Sequence, residues 1–206
     1  MITLKQRTGI KTKRGAMFGL DARIALAIFG ALSVISGAAL YSAIQESKTT
    51  AILTEMQEVA KAVEQYMLDT GVDPELIKNL TPAHIEDLVV EPSGVKGWKG
   101  PYLPFDVLNY DTLNSGKYHI YLRIVSNNDW SHPSNNGTAD YCISNLGDPC
   151  YIWVLYRNPD GSNFTKSLLD SIDLKVDGSV DYTKGNVRIS SNEIYLKAVP
   201  TLYKFK

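Results

Sequence analysis

Apolar positions run unbroken near the amino end and then thin into a stripe. From Ile24 to Ile44 the chain reads IALAIFGALSVISGAALYSAI, with no charge and only Ser33, Ser36, Tyr41 and Ser42 carrying a hydroxyl. About 20 apolar residues cross a bilayer core of ~30 Å, and a lipid-exposed backbone must satisfy its own hydrogen bonds, so this run predicts a helix. From Ala51 the pattern becomes one-faced. Ile52, Met56, Val59, Ala60, Val63, Tyr66 and Met67 recur at helical spacing, while Glu55, Glu58, Lys61, Glu64 and Gln65 fill the other side. Gly71 and Pro74 form the stop signal. The two patterns join without a break, so residues 17–71 are expected as one long helix, apolar over 17–45 and amphipathic over 46–71. Gly30, Gly37 and the small residues near them suit close packing between helices.

Beyond the helix, residues 72–116 read as a connecting region with two short helices and a loop. One helix is expected from Pro74 to Leu80. A second is expected to open at Thr81-Pro82, with threonine as cap and proline at the first position, and to run to about Leu88. Glu91 to Pro104 is a Gly- and Pro-rich loop. Residues 117–206 form the head. Lys117–Val125 and Tyr151–Arg157 are β-branched and aromatic, as strands require. Thr138–Ser144 is a third strand candidate. The polar stretch NNDWSHPSNNG from Asn127 to Gly137 reads as a surface insertion with Trp130 exposed. Asn163–Leu174 reads as a helix across the sheet, and Glu193–Val199 and Leu202–Phe205 as closing strands. The fold class is therefore α+β: a long N-terminal helix packed on an antiparallel sheet.

Charge sharpens the picture at the amino end. Lys5, Arg7, Lys11, Lys13 and Arg14 precede the apolar run, so the first 16 residues hold five of the 21 basic residues and none of the 22 acids. Such a flank stays cytoplasmic and sends the head outward. The rest of the chain is net acidic, and no basic–aromatic patch suggests nucleic acid. Two cysteines, Cys142 and Cys150, lie in the exported part, where a disulfide is the expected state. No histidine stands within nine residues of either, which argues against zinc at the cysteines. His84, His119 and His132 are scattered, and no P-loop, HExxH or GxSxG motif occurs, so no enzyme and no cofactor are expected.

Asp21 stands at the mouth of the apolar helix, where a carboxylate is costly unless paired and is a functional candidate by default. A basic leader, the small residue Ala16, and an acid five residues into an apolar helix together resemble the class III signal of type IV pilins and type II secretion pseudopilins. The resemblance implies cleavage between Ala16 and Met17, with residues 1–16 removed as a leader. It also implies N-methylation of Met17. A cut after Gly15 would make Leu20 the fifth mature residue, and a cut after Gly19 would make it Ile24. The family usually carries glycine at the position of Ala16 and glutamate at that of Asp21. Asp21 is then expected to neutralise the amine of a neighbouring copy, as a register device. Arg23 is expected to pair with Asp21 or to snorkel to headgroups.

What the resemblance implies is a structural subunit that polymerises through its apolar helix into an extracellular type IV pilus-like filament. Its partners would be copies of itself, a prepilin peptidase, an inner-membrane assembly platform, and lipid before assembly. The alternatives are a type II secretion pseudopilin or minor pilin, or a single-pass anchored adhesion protein. Gly97-Trp98-Lys99-Gly100-Pro101-Tyr102-Leu103-Pro104 resembles the loop after the stalk helix in pseudopilins and some pilins. The Asp-Pro-Trp-Gly continuation is missing, and Phe105-Asp106-Val107-Leu108 stands there instead. That difference favours the pilus subunit at this level. No metal is expected. Were calcium to bind, oxygen ligands would come from Asp173, Asp177 and Asp181, although their spacing is no EF-hand and a solvated turn is the favoured reading.

Overall fold

A computed structural model describes residues 17–77, 82–128, 130, 142, 149–190 and 192–203. The chain divides into two compact units, Met1–Gln45 and Glu46–Lys206. Helix α1 runs from Met17 to Thr70. It ends where Gly71 takes φ 74 and its N–H bonds the Met67 carbonyl at 2.8 Å, a left-handed stop that glycine adopts without a Cβ clash. In the first unit the helix keeps its apolar side chains exposed, and it is long and apolar enough to cross a membrane by length and composition.

In the second unit the amphipathic stripe of α1 meets an antiparallel sheet. The strands are β1 (Pro82–Ala83), β2 (Asp106–Asn109), β3 (Thr112–Asn114), β4 (His119–Ser126), β5 (Cys150–Arg157), β6 (Val187–Ser190) and β7 (Glu193–Pro200). Their order across the sheet is β2-β3-β4-β5-β7-β6, with β1 pairing the outer side of β4. Long pairings hold the centre: Ser126 faces Cys150, Leu122 faces Val154, and Val154 faces Leu196. Alternation along the strands sorts side chains to two faces. Ile120, Leu122, Ile124, Ile152, Val154 and Tyr156 join Met56, Val59, Val63 and Tyr66 of α1 in the main core. Val125, Trp153, Leu155 and Tyr195 build a smaller cluster with Trp130. Helix α2 (Lys166–Asp177) adds Leu169 and Ile172 to the main core and stops at Gly178, φ 74.

The head strands centred on 117–125, 151–157 and 193–199 form as the sequence predicts, each within two residues at either end. Several other expectations are corrected. The described part of Pro74–Leu80 is extended, because its amides have tertiary partners. Leu76 bridges Ala83, the Ile77 N–H bonds the Pro82 carbonyl at 3.0 Å, and the Glu75 N–H bonds Asp87. The helix expected to open at Thr81-Pro82 is replaced by β1 and a short 3-10 helix, Ile85–Leu88, with His84 as its flanking residue. Residues 106–114, read as loop, form the β2–β3 hairpin. Trp130 is buried at 4% exposure. Helix α2 starts and ends three residues later than the pattern of Asn163–Leu174 indicates. Leu202 and Tyr203 are not strand. The strand expected at Thr138–Ser144 lies outside the described residues except for Cys142.

Candidate assembly segment and the loops of the head

The amino-terminal segment is set by its helix. Met17 is the first residue of α1, while Ala16 lies outside the described residues. Asp21 and Arg23 are both exposed, and among the described residues no ion pair joins them. Residues two apart on an α-helix point to different faces, which fits the lack of an Asp21–Arg23 ion pair in the structure. That leaves the Asp21 carboxylate open to a partner from elsewhere. Further along the helix Leu26, Phe29 and Val34 are each 70% exposed or more. Nothing within 4 Å would meet a Cβ at Gly19, Gly30 or Gly37. A contiguous apolar surface of this extent marks a membrane or protein contact.

Where α1 enters the second unit, α2 reaches it first. The Lys175 ammonium bonds Glu46 Oε1 at 2.8 Å and Thr50 Oγ1 at 2.9 Å, and the Lys175 hydrogen bond holds the Glu46 carboxyl below its usual range. At the other end of the helix, the Gly- and Pro-rich loop folds back on α1. Lys99 Nζ bonds Asp69 Oδ1 at 2.9 Å, the Tyr102 hydroxyl bonds Asp69 Oδ2 at 3.1 Å, and the Lys99 N–H bonds the Tyr102 hydroxyl at 2.9 Å. The Asp69 side chain is only 8% exposed. The hydrogen bond from Lys99 leads the interactions that lower its pKa. Gly97 lies so close that a Cβ would come 2.3 Å from the Asp69 carbonyl oxygen, and its φ of 88 independently requires glycine. The Gly100–Pro101 bond is cis. Trp98 donates to the Asp87 carbonyl at 2.8 Å, and its ring meets that of Tyr102 edge-on.

Asp87 is 5% exposed, and burial raises its carboxyl to about 6 against the pull of the Glu75 N–H. Asp73 binds the carboxyl-terminal stretch: its carboxylate accepts from the N–H groups of Leu202 and Tyr203 and from the Thr201 hydroxyl. Sequence reading missed Asp69, Asp73 and Asp87. Asp69 and Lys99 are 30 residues apart, beyond any local pattern. The one available signal was the density of glycine, proline and aromatic residues over 97–104.

The calcium candidates come together around one loop, but each carboxylate caps backbone. Asp173 Oδ2 accepts from the Asp181 N–H at 2.7 Å. Asp177 accepts from the N–H groups of Asn186 and Val187, and Asp181 accepts from Thr183. The second carboxylate oxygen of Asp173, Oδ1, is buried without a hydrogen-bond partner. Cys142 and Cys150 are disulfide-bonded with Cα atoms 5.9 Å apart. The bond ties the first residue of β5 to the segment between β4 and β5. The hairpin partner of β5 is β4, with Ser126 opposite Cys150. His119 opens β4 opposite Arg157, and His132 lies outside the described residues.

Comparison with known proteins adds one relative. The chain is 27% identical over 96 residues to "Type II secretion system core protein G" of Xanthomonas campestris pv. campestris. The match covers 47% of this chain and 62% of that relative, so it spans under two thirds of the relative's length. No family model matches the chain, and no solved structure matches it significantly.

Proposed function

From the premise that the chain is pilin-like, of the class joining type IV pilins and type II secretion pseudopilins, we propose that it is a pseudopilin-type structural subunit of a secretion system. Similarity to a core protein of a type II secretion system carries this reading. The exposed apolar half of α1 supports it, because that surface needs lipid before assembly and other helices after it. In this reading a prepilin peptidase cuts between Ala16 and Met17, and the freed amine of Met17 is methylated and stays cationic. Burying that amine among helices without a partner would cost several kcal/mol. Asp21 lies about one turn further along the helix, at the right height to accept the amine of the next copy. The subunit starts in the inner membrane, amino end inward, and is drawn into a filament by an assembly platform. Its role is structural rather than enzymatic.

A second reading, a subunit of an extracellular type IV pilus, is favoured by the missing Asp-Pro-Trp-Gly continuation. Residues Asp106–Asn109 form strand β2 in that region. One experiment separates the two. The full-length precursor is expressed with a prepilin peptidase in its native host background, and the mature amino terminus is read by mass spectrometry. Deletion strains are then scored for secretion and for filaments sheared from the surface. Methylated Met17 with a secretion defect and no long surface filaments is the expected result. Abundant sheared filaments with normal secretion favour the pilus. An intact residue 1 on the mature protein rules out both.

A further inference from the structure

We propose that His84, Glu86 and Asp87 form a binding site for a divalent transition-metal ion of the zinc type. Extended backbone at His84 leads straight into the 3-10 helix that carries the two carboxylates. One nitrogen of the imidazole and one oxygen of each carboxylate all lie within 4.8 Å of one another. His84 Nδ1 and Glu86 Oε1 are 3.6 Å apart. Zinc bonds of about 2.0–2.2 Å place tetrahedral ligands about 3.3–3.6 Å apart, so closure on an ion draws the more separated ligand atoms in by about 1 Å.

The surroundings hold these groups in place. Glu75 reaches both sides of the cluster: its N–H bonds Asp87 Oδ2 at 3.1 Å, and its carbonyl accepts the His84 N–H at 2.8 Å. The Tyr110 ring packs against the imidazole, centroids 5.2 Å apart. The Trp98 indole fixes the Asp87 carbonyl. One of these contacts reaches a ligand side chain, the Glu75 N–H on the Asp87 carboxylate, as outer partners do in metal sites; the others fix the backbone at His84 and Asp87 and pack the ring.

A second observation comes from α1. The Tyr66 hydroxyl is fully buried and has no hydrogen-bond partner. Tyr66 packs in the same main core as Ile85 and Leu88, the first and last residues of the 3-10 helix that carries Glu86 and Asp87. Among the described residues, no lysine or arginine forms an ion pair with Asp73, Glu75, Glu86 or Asp87.

The donor set selects the class. One imidazole nitrogen with two carboxylate oxygens suits zinc and its neighbours better than calcium or magnesium, which take oxygen throughout. Water completes the coordination. The ion would brace the turn from His84 into the 3-10 helix, which the Glu75 backbone already ties to the chain leaving α1.

The test uses the full-length chain in detergent micelles, stripped with chelator, and zinc binding followed by titration calorimetry. Cobalt(II) serves as a second probe, because bound cobalt shows visible ligand-field bands. One zinc per chain is expected. His84→Ala and Glu86→Gln, at partly exposed positions, are each expected to weaken it by about 10-fold or more. His119→Ala and Asp177→Asn are expected to bind as wild type does. Near-UV circular dichroism checks that the variants stay folded, since Asp87→Asn at a buried position is a less safe choice. No stoichiometric binding by the wild type, or binding unchanged in both His84→Ala and Glu86→Gln, overturns the proposal.

Discussion

Trp130 shows how one side chain can organise a face of the sheet. Its ring lies 5.2 Å from that of Trp153 and 5.1 Å from that of Tyr195, both edge-on, and the Arg188 guanidinium stands over both tryptophans. The indole N–H bonds the Ser126 carbonyl at 3.2 Å. Arg188 is itself 2% exposed, so its charge is sheltered by aromatic faces and by carbonyls, Gly185 among them. Removing the indole uncovers Trp153, Tyr195 and Arg188. Trp130→Ala is expected to destabilise the head by about 3–5 kcal/mol, the cost of a large buried aromatic. Chemical denaturation measures it. A change within about 0.5 kcal/mol, the range of surface substitutions, would return Trp130 to the surface.

At the level of elements, the end of α1 and the loop over 97–104 act together through Asp69. A carboxylate held below its ordinary value stabilises the folded form only while ionised. The Asp69 anchor is therefore complete above the unperturbed value of 3.8, weakens as pH falls below it, and is gone once pH passes the lowered folded value. Lys99 stays charged throughout, its own value raised first by the Asp69 hydrogen bond. Amide exchange over Gly97–Tyr102, corrected for intrinsic rates, is expected to accelerate on that acid limb. Asp69→Asn is expected to exchange fast at every pH, with no step. A wild-type profile that stays flat through the acid range would show that the loop is held by its aromatic contacts alone.

For the whole molecule, the amino-terminal unit and the head have different tasks. The head buries its own core, whereas the apolar run has exposed side chains that water does not tolerate in bulk. If the Asp21 carboxylate receives the amine of a neighbouring copy, Asp21→Ala should leave the head folded and membrane-anchored but abolish or shorten filaments. Electron microscopy of sheared or detergent-released material, beside near-UV circular dichroism of the head, checks both halves of that expectation. Normal filaments from Asp21→Ala would mean that apolar packing alone sets the register.

Local periodicity was enough to determine α1. The charge-free run and the stripe from Ile52 to Met67 are short-range patterns, and the helix from Met17 to Thr70 follows from them because every backbone bond it needs lies within four residues. Strands β4, β5 and β7 were legible for a similar reason, since their β-branched and aromatic runs favour a pleated, half-buried surface. Segments between 74 and 114 were not, because distant partners bind their amides: Glu75 bonds Asp87, and Ile77 bonds Pro82. The burial of Trp130 and the Asp69–Lys99 pair belong to the same category. Each depends on which face of the sheet or helix lies opposite, and only the closing of the chain on itself settles that.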